Sequence, residues 1–592
     1  MKSYKKIAVL LTALSVIGMS GCKKVLDQTP KSNVTPDVLA SAGGVIGGIT
    51  GVYSDLRNLW GTEGFLYYTN LGVDETLAGG GASNGGVAFA TYKNYTNNVA
   101  DVYNALGGVF NIAYQDINTL NGVLQYGPAA FADVPTRTAY LAQAKFLRAF
   151  YYFHLVQTFG AVPLHTTFIN TATLSDSRAP IAAIYAQIIK DLTEASAELQ
   201  NKPGDNGSPF AGHAATKATA LYLLSKAYLT RGWSTAAQPT DFQNALTTAQ
   251  TLINTKGAYG VDLYQNYADA YTPANDVTNK EDLFAIEHST DTKYGDFTPG
   301  ASGGKINGWA YFFRPNYPTV TANYPASTGA SVMTRDLTNG RPFFRVRPNY
   351  DYVNNVAFAD RTNDYRYWNT FQTTWIANTA NVTTPRGALT VGADTAIWMP
   401  PADPGEAKRA SFKGVVFLPP SVAAGATGSN ANASNNTFFP SVKKFDDPNR
   451  PSVNDPSSRP VVLFRFSEIY LIAAEAAFKL NDLTTAANML NVLRTRAAFR
   501  TTNMPADAVA KMQISPGQVT LDFILDERTR ELYGESLRWW DLTRTQSLIR
   551  RVKQYNTEAG PNIQDFMTLR PIPQTQINLV TQGPPFPQNS GF

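Results

Sequence analysis

The spacing of apolar residues divides this chain more sharply than any other feature. In DVYNALGGVFNIAYQDINTLNGVL (101–124), Tyr103, Leu106, Phe110, Ala113, Ile117, Leu120 and Leu124 recur at three- and four-residue steps. That spacing lines one face of an α-helix. Four more stretches behave alike: TAYLAQAKFLRAFYYFHLVQTFG (138–160), IAAIYAQIIKDLTEASAEL (181–199), TKATALYLLSKAYLTRG (216–232) and DFQNALTTAQTLINT (241–255). Gly160 and Pro163 supply stop signals for the first, and Pro180 opens the second. The pattern lapses over 256–458 and returns over 459–558. There SEIYLIAAEAAFKLN and LTTAANMLNVLRTRA form a pair around Asn481-Asp482, and LDFILDERTRELYGESLRWWDLTR (521–544) is interrupted near Gly534.

The helix pairs resemble one another. Ala227 and Ala476 occupy equivalent places near the end of a first helix, each followed by a polar turn and a second helix rich in Ala and Leu. Small residues there let two helices approach closely, as in tetratricopeptide (TPR) arrays. The period is irregular, so the expectation is TPR-like hairpins, with generic helix-hairpin packing as the alternative. Residues 60–100 and 256–458 are instead dense in Gly, Pro, Asn, Thr and aromatics. Long loops should dominate them, with TAIWMP and GVVFLP as short strands. Loops this long in a compact protein are functional or disordered, and so many Tyr and Trp argue for function. The predicted fold class is mainly α: a TPR-like helical scaffold (100–255 and 459–558) carrying a large, irregular, ligand-facing portion. No charged, Pro-rich or Gly/Ser linker divides residues 22–592, which are expected to form a single unit.

Cys22 is the sole cysteine in 592 residues. Lys2, Lys5 and Lys6 precede it, then an apolar run from Ile7 to Met19, then Ser20 and Gly21. This is the layout of a secretory signal peptide (1–21), and the run is too short to span a bilayer. A cysteine directly after small residues resembles the lipobox of bacterial lipoproteins, which makes Cys22 a lipid attachment point. Several acyl chains would hold the protein firmly, since each buried CH₂ contributes ~0.8 kcal/mol. Removing residues 1–21 removes three lysines and lowers the formal charge from +5 to +2, leaving no electrostatic case for nucleic acid.

The residues of hydrolytic and metal chemistry are not clustered. His154, His165, His213 and His288 fall in no short metal-binding spacing, and no cysteine remains to join them. His154 lies within an apolar helix and reads as packed. There is no G-x-S-x-G elbow, P-loop or dinucleotide fingerprint. Asp74-Glu75 stands in a glycine-rich context, but adjacent side chains diverge and do not make a glycosidase pair by themselves. No catalytic residue, metal or cofactor is assigned. In DERTRELYGESLRWWDLTRT (526–545), Glu527, Glu531 and Glu535 share a helical stripe with Arg530 and Arg538 three residues after an acid. It reads as a structural ion-pair network with Trp539 and Trp540 as packing anchors, in preference to an anion site.

The aromatic loops carry the positive evidence. A sugar has an apolar C–H face and a rim of hydroxyls, so its sites pair flat rings with amides, acids or guanidinium groups. NGWAYFFRPNY (307–317) and DYRYWNTFQTTW (364–375) have this composition. Trp309, Tyr311, Trp368 and Trp375 are candidate platforms, and Asn307, Arg314, Arg366 and Asn369 candidate rims. Trp60, Tyr92, Asn94 and Tyr95 form a second candidate set. The alternative for any one ring is that it packs loops onto helices.

Five stretches together resemble the SusD/RagB-like outer-membrane lipoproteins of Bacteroidetes: CKKVLDQTP at the anchor, AQAKFLRAFYYFHLVQTFGAVPL (142–164), LFRFSEIYLIAAEAAFKLND (463–482), ERTRELYGESLRWWDLTRT (527–545), and LRPIPQTQINL (569–579) with PQNSGF (587–592). The resemblance implies a SusD-like fold and a non-catalytic surface lipoprotein that captures glycans. It also implies a partner, a SusC-like TonB-dependent outer-membrane transporter. Family ligand residues vary, so the site residues above rest on composition. A secreted polysaccharide hydrolase, a purely protein-binding scaffold and a binder of other nutrients such as peptides are the competing readings.

Overall fold

The structure, a computed structural model, describes residues 35–93, 95, 99–205, 210, 212–291, 293, 297–301 and 306–592. The signal segment, Cys22 and Asn94 lie outside the described residues.

The helices that position the rest are α1 (Ala42–Asp55), α2 (Glu63–Asn70), α3 (Asn84–Thr91), α4 (Val99–Tyr126), α5 (Val134–Phe159), α6 (Ile181–Glu198), α7 (Lys217–Trp233) and α8 (Asp241–Asn254). After the long insertion come α9 (Phe466–Lys479), α10 (Leu483–Ala498), α11 (Leu521–Leu532), α12 (Arg538–Arg544) and α13 (Leu548–Tyr555). Several begin where the sequence supplies a cap. The side chains of Ser41, Thr62, Ser83, Asp133, Thr216 and Thr520 each accept a hydrogen bond from the amide three residues on, satisfying a donor the helix cannot. Gly160 ends α5 with φ 74°, a conformation glycine adopts at no steric cost.

The two helical blocks form one array. Neighbours pack in the order α4, α5, α6, α7, α8, α9, α10, so α8 lies against α9 although the insertion separates them in sequence. Ala227 on α7 and Ala476 on α9 are completely buried, as close helix approach requires. The helical pattern over 521–544 forms two helices, broken where the sequence interrupts it near Gly534. Gly534 (φ 78°) and Ser536 (φ 60°) turn the chain between α11 and α12.

Strands tie the insertion to this array. β1 (Thr76–Ala78) pairs antiparallel with β3 (Val346–Pro348), joining the two loop-rich stretches. β2 (Asp282–Ile286) leaves the array and β8 (Val461–Arg465) returns to it as its antiparallel partner, Val461 opposite Ile286. Between them β4 (Thr374–Ile376), β5 (Thr395–Trp398), β6 (Val415–Leu418) and β7 (Asn432–Ala433) form a sheet in the order β7-β6-β5-β4. The strands expected in TAIWMP and GVVFLP are β5 and β6. The insertion is more organised than its sequence suggested, because Trp375, Ile397, Met399, Val415 and Phe417 build a core of their own with Tyr317 and Val320.

Candidate functional site

The aromatic candidates from sequence are mostly interior. Trp60, Tyr92, Tyr95, Trp309 and Tyr311 all join the main core, and Trp375 is wholly buried in the insertion core. A ring with no accessible face cannot stack on a sugar, so these six serve packing. Trp60, for example, meets Phe65, Phe150 and His154 at centroid distances of 5.3, 5.0 and 5.3 Å. Three of the four polar rim residues are equally committed. Arg314 pairs with Asp446 and donates to Gln372 at 2.9 Å, Asn307 donates to the Arg459 carbonyl at 3.0 Å, and Arg366 enters the ion network below. Trp368 and Asn369 are half-buried, and the Trp368 indole donates to the Arg361 carbonyl at 3.2 Å. The sequence reasoning underestimated burial because aromatic density has the same signature in a ligand platform and in a core.

The charged run is a buried network, as its composition predicted, but with different partners. Glu531 receives Arg465 at 2.7 Å, Arg366 at 3.2 Å and Arg496. Burial raises its proton affinity, yet these three guanidinium groups outweigh it and hold the carboxyl well below the usual range. Glu527 pairs with Arg366 at 2.7 Å, with Arg494 at 2.9 Å and, three residues on, with Arg530 at 2.9 Å. Glu535 and Arg538 do not pair as the helical stripe suggested, because the turn at Gly534 sends them apart. Glu535 takes Lys444 at 2.8 Å, while Arg538 grips Asp74.

Asp74 and Glu75, to which no catalytic role is assigned, are likewise structural. Asp74 accepts from Arg538 at 2.7 Å and Arg551 at 2.6 Å. Burial pushes its carboxyl up, but the two arginines more than reverse this and bring it to about 2. Glu75 accepts from Thr529 at 2.8 Å, and burial drives it to about 7. Both are buried, out of reach of a polysaccharide. His154 is also interior, 2.8 Å from the Tyr68 hydroxyl, and burial lowers it to about 3, so it stays neutral. Among the described residues no group of three or more His, Cys, Asp or Glu could hold a metal ion, and no helix is long and apolar enough to cross a membrane.

One open groove lies beside the glycine-rich loop. It measures about 440 Å³ and is lined by Glu63, Gly64 and Tyr67 of α2, Ser83 to Gly85 at the start of α3, Phe89 and Ala105. Its shape depends on glycine. A Cβ on Gly86 would lie 2.7 Å from the Tyr67 ring, and one on Gly79 would lie 2.0 Å from the Phe344 carbonyl oxygen. The Tyr67 hydroxyl donates to Glu63 and accepts from the Ser83 amide at 3.1 Å, fixing α3 against α2. Beside the groove the 341–345 segment packs on the glycine run: Gly79 N–H donates to the Arg345 carbonyl at 2.9 Å and Gly81 N–H to Phe344 at 3.1 Å. Arg345 pairs with Glu63 at 3.0 Å, and Arg341 and Arg345 lie 4.7 and 5.1 Å from the half-buried Phe343 ring. The groove thus presents hydroxyl, amide and carboxylate groups beside an aromatic ridge. Glu63 is the one carboxylate lining it among the described residues, whereas glycoside hydrolysis takes two facing each other.

Sequence reasoning selected none of the residues that line this groove. The signal it passed over was the run GGGASNGG (79–86), whose small residues admit a second backbone where side chains would collide.

Comparison with known proteins agrees along the whole chain. The family model described as "SusD family" matches residues 249–592, and one described as "Starch-binding associating with outer membrane" matches 76–229. SusD-like protein P2 of Formosa agariphila is 26% identical over 614 aligned positions, covering 100% of this chain and 99% of that protein. A SusD homolog from Bacteroides thetaiotaomicron superposes with a TM-score of 0.68 at 20% identity, over 94% of this chain and 98% of the other. A structure described as a laminarin binding SusD-like protein gives 0.59 at 21% identity, over 93% and 100%. The shared mainly α fold and the match from residue 249 to the C-terminus lead to one conclusion: the chain belongs to the SusD family.

Proposed function

We propose that this protein is a non-catalytic outer-membrane lipoprotein, anchored through Cys22, that captures glycans at its loop face and hands them to a SusC-like TonB-dependent transporter. The match of residues 249–592 to the SusD family carries this reading, and a laminarin-binding relative of the same fold supports the choice of ligand class. The match of residues 76–229 to a family described as associating with the outer membrane supports the location. The loop-face groove supplies the chemistry. Hydroxyl-rich sugars suit the Ser83 and Asn84 polar groups and the Tyr67–Glu63 pair. The use of these acids supports the non-catalytic reading: Asp74 and Glu75 are interior, and Glu63 is engaged by Tyr67 and Arg345.

The test is calorimetric titration of the mature protein with laminarin and malto-oligosaccharides, alongside an assay for new reducing ends. Binding without cleavage is expected. Reducing-end release that disappears with a carboxylate substitution would make the protein a hydrolase. Detergent extraction of outer membranes should co-purify a large barrel transporter, and a lipoprotein recovered alone would remove the delivery step.

A further inference from the structure

A second concave site lies on the helical scaffold, away from the loop face. Where the C-terminal ends of α5 and α7 meet α12, a cleft of about 350 Å³ opens to solvent, and it shares no lining residue with the loop-face groove. Volumes of this order are typical of small-molecule sites.

Its lining is mixed in a particular way. Trp233 at the end of α7 is the accessible aromatic ring, while Tyr185 of α6 and Trp540 of α12 border the cleft but are themselves buried. Trp233 is half-exposed and rigidly held. Its indole donates to Glu475 at 2.8 Å, Phe242 meets it nearly edge-on at 84°, and the Lys479 ammonium lies 4.0 Å from the ring centroid. A side chain fixed before binding loses little freedom when a ligand arrives. Uncharged hydroxyl and amide groups complete the lining, with Thr235 and Gln546 exposed at the rim. On the wall, Gln157 gives its N–H to the Phe153 carbonyl at 3.2 Å, leaving its amide oxygen buried without a partner.

Charge decides the class of ligand. Among the described residues Arg544 is the one ionic residue lining the cleft, and its guanidinium is occupied by Glu475 and by Asp541 at 2.9 Å. The described lining residues bring no uncompensated charge of their own to the cleft, so the lining selects for neither an anion nor a cation. An uncharged molecule with an apolar face and several hydroxyls fits the Trp233 indole with its neutral hydrogen-bonding rim.

We propose that the cleft between Tyr185, Trp233, Trp540 and Gln546 is a second saccharide site that takes an uncharged sugar residue, independent of the loop-face groove. It rests on the proposed glycan-binding role for the class of ligand and on the cleft itself for the place.

The experiment uses the full mature protein, with laminarihexaose and maltohexaose as probes, by calorimetry in solution and by crystallography after soaking. Gln546→Trp and Thr235→Trp each fill the cleft from an exposed position, so folding should survive, checked by an unchanged melting temperature. Asn84→Trp fills the loop-face groove. Two binding events are expected for the parent. Gln546→Trp and Thr235→Trp should each weaken one of them about tenfold or more, and Asn84→Trp should remove only the other. Sugar density against Trp233 should accompany the event that Asn84→Trp spares. A single event, abolished by Asn84→Trp and untouched by Gln546→Trp and Thr235→Trp, would overturn the second site while the proposed function stands. Binding that only the cleft variants abolish would keep the second site and remove the loop-face assignment. Absence of binding to either probe would overturn both.

Discussion

Arg538 and Asp74, 464 residues apart in sequence, face each other in the interior through two parallel hydrogen bonds of 2.7 Å each. Arg551 binds the same carboxylate at 2.6 Å, so two C-terminal helices are pinned to one acid of the N-terminal loop face. This contact makes the glycine-rich segment above the groove part of the scaffold.

Substituting Arg538 by Met should therefore destabilise the whole protein. It leaves a buried acid with a single cation, a change that costs about 3–5 kcal/mol. Urea unfolding followed by circular dichroism would measure it, and a loss under about 1 kcal/mol would mean the pair is solvated.

Acid should act on the same pair. The Asp74 carboxyl sits at about 2 in the folded protein, below the value near 3.9 usual for an unfolded chain. Its contribution to stability is fully present above about pH 4 and lost as pH falls toward 2. Melting temperatures of Asp74→Asn and parent should converge across that window, the variant being the less stable above it.

Glu75 should behave in the opposite sense. Burial raises it to about 7, so the folded state holds its proton more tightly than the unfolded chain. Stability then falls as pH climbs from about 4.5 to 7 and levels above. Glu75→Gln, which keeps an acceptor for Thr529, should melt higher than the parent at pH 8, with the gap closing as pH drops. An unchanged gap from pH 8 to pH 5 would show that Glu75 titrates normally.

The loop face makes a steric prediction. Gly79→Ala would drive a methyl group to within 2.0 Å of the Phe344 carbonyl oxygen, a backbone atom with no rotamer to change. The glycine run and the 341–345 segment must separate, at a cost of about 1–3 kcal/mol by analogy with overpacked cores. Titration with laminarin should show weaker binding than the melting curve alone would explain.

Trp309 and Asn84 separate packing from recognition. Trp309→Ala should lower stability by about 3–5 kcal/mol, as for other buried aromatics. At temperatures where it remains folded it should bind glycan like the parent. Asn84→Trp should reverse this profile, with normal stability and glycan affinity reduced about tenfold or more. Equal binding defects in both would return Trp309 to the site.

The helical half of the fold was legible in sequence because its rule is local. Three- and four-residue spacing, Gly160 and the capping residues sit within a turn or two of what they control. The break at Gly534 was visible for the same reason, yet its effect on Glu535 and Arg538 was not, since a turn redirects side chains toward partners hundreds of residues away. The insertion sheet was half seen. β5 and β6 are four residues each, too short for alternation to show, and their parallel pairing leaves no hairpin signature. The site was hardest. Trp60 and Trp309 looked like platforms because nothing in a local window distinguishes a ring facing solvent from one facing Phe150 or Phe445.

The packing of α8 on α9 also sets an order of events. A chain made from its N-terminus presents Ala245, Leu246, Ala249 and Leu252 before their partner helix has been synthesised. Until Lys479 has emerged, the growing protein carries a finished helical stack with a bare terminal face, and such faces aggregate. The passage of the intervening segment sets how long that face stays uncovered.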